Sequence, residues 1–203
     1  MAFESLATAA AGVVLGLSLA APPGPVNAVI ASNAVTKSWR TGFFVGAGAL
    51  TADAGFLTLS VLAHSVIESV RTLFPIIALV GAAVMAYIAW NAARAWHRVP
   101  DASVFTPEAH ATSYVTGLTI NLTSPYPILW WLTAGLALID QLGAVVLMGF
   151  FAGVLLWITL FPLALRAAQR RFAETYHVAL VFSIVCLVVF AVWLAWSAVA
   201  ALV

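Results

Sequence analysis

Long apolar runs with almost no charge inside them follow one another along this sequence, which restricts the chain to folds whose solvent is lipid. The runs are Leu6–Asn33, Thr41–Ala63, Leu73–Trp96, Ser113–Ile139, Gly143–Leu165 and Val178–Val203. Each is near or above the roughly 20 residues that a helix needs to cross about 30 Å of hydrocarbon. Charged residues are 7% of the chain, hydrophobic ones 64%, and the mean hydropathy is +1.09. A soluble domain carries roughly 25% charged residues. We therefore expect an all-α integral membrane protein of six spans, forming a single transmembrane domain over residues 1–203 with no soluble domain.

Several classes fall away on composition. The N-terminal run ends in Leu19-Ala20-Ala21 but carries Glu4 and no basic residue before it, so it reads as an uncleaved first helix rather than a signal peptide. The single cysteine, Cys186, lies inside a span and has no CxxC partner, which argues against a thiol–electron carrier. A net charge of +1 without a basic cluster gives no footprint for nucleic acid.

Loop charges set the expected orientation. Lys37, Arg40, Arg94, Arg98, Arg166, Arg170 and Arg171 flank the first, third and fifth connections, and Arg71 alone lies on the other side. The positive-inside rule then places the odd loops in the cytoplasm and both termini outside, in a multi-pass protein of the cytoplasmic membrane. Trp39, Trp90 and Trp96 fall near the cytoplasmic boundary, and Trp193 and Trp196 near the outer one, as interfacial anchors do.

Two spans cannot be continuous helices. Pro22-Pro23-Gly24-Pro25-Val26-Asn27 interrupts the first, and Asn121-Leu122-Thr123-Ser124-Pro125-Tyr126-Pro127 the fourth. Proline removes an i→i−4 bond and clashes with the turn before it, so carbonyls are freed before each break and amides after it. The first helix should restart near Pro25, which suits a first helical turn. The Val26 and Asn27 amides would then face an anion at a positive helix end, with the Asn27 side chain at the same depth. Breaks half a chain apart are the arrangement of transporters built from two repeats around a midplane site. An ordinary proline kink is the simpler reading of either break taken alone.

Three spans per half require the halves to insert in opposite orientations, as inverted repeats over about residues 1–98 and 110–203. Gly42-Phe43-Phe44-Val45-Gly46 recurs as Gly149-Phe150-Phe151-Ala152-Gly153, and both are GxxxG patterns. Such faces can pack helices within one protomer or between two.

Asp53 is the one carboxylate inside the hydrocarbon, about 12 residues or roughly 18 Å from the cytoplasmic end of its span. Intramembrane acids face the bundle interior and mark substrate or proton paths. Gly42, Gly46, Ala49 and Asp53 share one helix face, so Asp53 should point at protein. The alternative is a neutral carboxyl hydrogen-bonded to a neighbouring helix. The two breaks lie about 12 Å and 16–21 Å from the cytoplasmic side, bracketing this depth. Trp130, Trp131 and Trp157 are too deep for an interfacial belt and read as packing or lipid contacts, or as an aromatic wall at the site. His64, His97, His110 and His177 fall at helix ends or loops, so no intramembrane metal cluster or Ser–His pair is expected.

These residues resemble the lysine exporter (LysE/RhtB-type) translocators. Pro23-Gly24-Pro25-Val26-Asn27 is similar to that family's P-G-P-x-N or G-x-x-N motif in its first helix. Gly42–Gly46 with Asp53 resembles its small-residue second helix with an intramembrane Asp, and Asn121–Pro125 resembles its second-half N-x-x-N-P turn. The likeness spans about residues 10–170, with Ser124 in place of the usual Asn and Tyr126 in place of a frequent Lys.

The resemblance implies export of amino acids or related small solutes, driven by the proton gradient or membrane potential, without an enzymatic activity or a cofactor. The expected substrate site is Pro23, Gly24, Pro25, Val26, Asn27, Asn121, Ser124, Pro125 and Pro127, with Asp53 as the proton-coupling group. Partners are then a small solute and the bilayer, with the oligomeric state open. Two alternatives stay: a metal-cation or inorganic-ion exporter, for which one carboxylate is thin ligation, and a non-transporting membrane assembly factor.

Overall fold

The computed structural model describes residues 2–62, 66–94, 96, 107–124, 127–128, 131, 136–172 and 174–200. Their regular structure is helical throughout: α1 (Ala2–Ala20), α2 (Pro25–Thr36), α3 (Trp39–Leu62), α4 (Val66–Arg94), α5 (Pro107–Thr123), α6 (Leu136–Arg171) and α7 (Thr175–Ala200). Among the described residues, α3, α6 and α7 are each long and apolar enough to cross a bilayer, and α1 with α2, bent at a short break, makes a fourth if the pair counts as one span. The chain is therefore a multi-pass membrane protein. The expected third and fourth spans, Leu73–Trp96 and Ser113–Ile139, run partly through residues outside those described.

The first break lies where the prolines require it. Ala21 makes the last bond of α1, to the Leu17 carbonyl at 2.8 Å, and Pro22 has no N–H to continue it. Gly24 is extended (φ −165°, ψ 178°) as the N-cap of α2, and Pro25 occupies its first turn. The two halves meet at 81°. At the far end of α2 the chain turns directly into α3. Ser38 caps α3 by accepting the Thr41 amide, and Thr41 Oγ1 in return accepts the Ser38 amide. The second break also falls as expected, with α5 ending at Thr123 and Ser124 outside the helix.

α2 is buried on all sides, from Pro25 to Val35 apart from a few part-exposed positions, and packs against α3, α6 and α7. Around it α1 lies along α6, α3 along α5 and α4 along α7. The outward face of α7 carries Val181, Val185, Val188 and Val192, all exposed, as expected for a helix surface solvated by lipid.

Glycines set the closest approaches. A Cβ on Gly16 would overlap the Phe150 carbonyl, and one on Gly153 the Val13 carbonyl, so α1 and α6 touch backbone to backbone. Gly48 and Gly117 do the same for α3 and α5, against Tyr114 and Val45. The two GFFxG runs pack within this one chain. They meet different partners, however: Gly149 and Gly153 face α1, whereas Gly42 and Gly46 face α2 and α6. Their likeness in sequence is therefore not a likeness in contact.

Gly117→Ala should lower thermal stability in detergent by about 1–3 kcal/mol, because the helix backbones must separate. Gly55→Ala, with nothing within 4 Å of the added carbon, should leave stability unchanged or raise it by up to about 1 kcal/mol. Paired melting curves of the two variants check this directly.

Candidate functional site

A cavity of about 450 Å³ lies between the two helix breaks. The turn and α2 contribute Pro23, Gly24, Pro25, Val26 and Asn27 to its wall, the end of α5 contributes Asn121, and the second break contributes Ser124 and Pro127. α3 supplies Gly46, Ala49 and Asp53, the same small-residue face read from the spacing. The structure thus gathers every expected site residue that it describes into one wall. Pro125, with Tyr126 and Trp130, lies outside the described residues, as do His64 and His97.

Asp53 is 5% exposed. Its Oδ1 accepts the Asn121 side-chain amide at 3.1 Å and the Trp131 indole N–H at 3.1 Å. Asn121 Nδ2 also donates to the Ala49 carbonyl at 2.8 Å, one turn earlier on α3, which fixes the end of α5 against the acid. Trp131 is itself 1% exposed and is held by edge contact with Phe150, ring centroids 5.2 Å apart. Among the described residues, no basic side chain lines the cavity. Two neutral donors among the described residues hold the carboxyl, both on one oxygen.

Asn27 has a different task from the one its depth suggests. Its Nδ2 donates to the Ala20 and Pro22 carbonyls at 2.6 and 2.8 Å, and its Oδ1 accepts the Trp157 indole N–H at 3.0 Å. One side chain on α2 thus satisfies carbonyls released at the end of α1 and in the turn. The Val26 and Asn27 amides belong to the first turn of α2, where no intrahelical acceptor is in reach; the first bond is Ala28 to Gly24, at 2.9 Å. Both residues line the cavity.

The sequence offered Trp131 and Trp157 as an aromatic wall or as packing and lipid contacts; their indole N–H bonds to Asp53 and Asn27 are what it did not show. A buried indole needs a partner for its N–H, and tryptophans at midplane depth were the available signal. Trp193, expected as an outer-interface anchor, also lines the cavity with Phe190. Its 47% exposure, together with exposed Pro22 and Pro23, marks the open rim.

The opposite end of the cavity is closed by α2. Ser183 on α7 donates to the Ala28 carbonyl at 2.6 Å, and Gln169 on α6 to the Val35 carbonyl at 3.0 Å. Arg166 adds a bond to the same Val35 oxygen at 3.3 Å. Ala31, Val35, Tyr176, Ala179 and Leu180 pack into a second apolar cluster beneath these bonds. This closed end is the one that carries the basic residues of the first and fifth connections.

Two substitutions separate these roles. Asn27→Ala should destabilise the protein by about 1–3 kcal/mol in a thermal melt, because it leaves the Ala20 and Pro22 carbonyls without their donor and the Trp157 indole N–H without its acceptor. Trp131→Phe removes one donor from Asp53 but leaves the Asn121 bond and an aromatic ring in place, so its melting temperature should fall less than that of Asn27→Ala.

Comparison with known proteins shows the family. Over 169 residues, the chain is 27% identical to a Bacillus subtilis (strain 168) protein named "Putative amino acid efflux protein YcgF". The match covers 78% of this chain and 79% of that protein. No solved structure matches the chain. The family description "LysE type translocator" matches residues 17–198, almost the whole sequence and both helix breaks, and on that match the chain belongs to the LysE family of membrane transporters.

Proposed function

We propose that this protein exports amino acids or related small solutes from the cytoplasm by exchange with protons. The observation that carries the reading is the cavity itself: one membrane-buried carboxyl set between two helix breaks, in a chain of a translocator family. The name of the Bacillus relative, which refers to amino acid efflux, points the same way. A substrate carboxylate docks at the Val26 and Asn27 amides and its ammonium approaches Asp53. When substrate leaves to the outside, Asp53 takes a proton and the carrier resets. Burial favours the neutral form of any acid and a bound cation favours the charged form, so one carboxyl can exchange the two.

Two inverted three-span repeats form the scaffold of this reading. Exchanging the first span with the fourth, the second with the fifth and the third with the sixth turns the α1–α6 pair into the α5–α3 pair. The same exchange maps α4–α7 onto itself, and these are the pairs that pack along one another. With the basic connections in the cytoplasm, both termini lie outside and the cavity opens outward, while α2 closes the cytoplasmic side. The membrane is the cytoplasmic membrane of the cell.

The metal-exporter alternative gains no support from the site, since no group of three or more His, Cys, Asp or Glu side chains occurs among the described residues. The assembly-factor alternative gives no account of a carboxyl facing an open cavity.

Proteoliposomes loaded with a labelled amino-acid mixture test the exporter reading. Efflux of at least one amino acid, accelerated by an imposed pH gradient, is expected. Absence of flux for every amino acid, with the protein folded and monodisperse, would sink it.

A further inference from the structure

Resting on the exporter reading above, we infer that the substrate is an amino acid with an uncharged, apolar side chain, of leucine-like to aromatic size. The charges of the cavity are already spoken for by the backbone of any amino acid. Both donors to Asp53 converge on Oδ1, and Oδ2 takes no hydrogen bond from the described residues although the side chain is 95% buried (5% exposed). Oδ2 is therefore the oxygen left to meet an ammonium in the cavity that Asp53 lines. The first-turn amides of α2, on the same cavity, meet the carboxylate.

Nothing remains for a second charge. Among the described residues, Asp53 is the one carboxylate in the lining, and no Lys, Arg or His joins it. A lysine-like or arginine-like substrate would bring an extra cation, and a glutamate-like one an extra anion, into a site with no partner for either. The rest of the wall is mostly apolar, with Leu19, Ile30, Val154, Ile158, Phe190 and Trp193 alongside the uncharged polar groups of Asn121 and Ser124. A volume of about 450 Å³ lies within the range of small-molecule sites and leaves room for a large side chain beside these residues.

The test compares efflux of labelled leucine, lysine and glutamate, each alone, from proteoliposomes under one imposed gradient. Leucine should leave at least about tenfold faster than either charged amino acid. Trp193→Glu, which adds a carboxylate at a half-exposed rim position, should lower the leucine-to-lysine ratio by about tenfold. Lysine or glutamate moving as fast as leucine in the wild type would overturn the apolar class while leaving the exporter reading intact. An unchanged ratio in Trp193→Glu would overturn the placement of the side chain on this wall. No flux of any amino acid would overturn the exporter reading, and this inference with it.

Discussion

The unwound turn between α1 and α2 takes the Ala20 and Pro22 carbonyls out of the helical ladder, so they need donors from elsewhere in the chain. The Asn27 side chain answers both and is itself held by Trp157. Without that bridge the first span could not bend by 81° at membrane depth at tolerable cost. The rest follows from the bend. α2 swings into the middle of the bundle, its first-turn amides open onto a cavity, and its far half seals one end of that cavity.

A second asparagine anchors the other side. Asn121 closes the end of α5 onto α3 by bonding both the Ala49 carbonyl and Asp53. The two breaks are thus secured by the same residue type with different targets: Asn27 repairs its own span, and Asn121 reaches the acid of a neighbouring one. Glycine makes this possible at close range, since Gly48 and Gly117 let α3 and α5 approach backbone to backbone. A polar contact as short as Asn121 to Asp53 depends on that approach.

Local chemistry made part of this legible in the sequence. Prolines act on the turn in which they sit, so the end of α1 near Ala20, the restart at Pro25 and the end of α5 before Pro125 could all be placed without tertiary information. The face of α3 bearing Asp53 followed from helical spacing alone. The partners did not. Trp131 lies 78 residues from Asp53, and Trp157 lies 130 from Asn27, so no local pattern links them. The bridging role of Asn27 depends on the bend angle, which the prolines permit but do not determine. Gly12, Gly16, Gly48 and Gly117 attracted no notice beside the more conspicuous GFFxG runs, because a single glycine shows its importance only when the facing backbone is known.

The central claim is that one carboxyl, Asp53, exchanges a proton for substrate. The most direct measurement is proton movement across proteoliposome membranes, followed with a trapped pH dye, when substrate alone is given a gradient. In the wild type, protons should move opposite to substrate, and in Asp53→Asn substrate should no longer move protons. Equal substrate-driven proton movement in wild type and Asp53→Asn would contradict the account.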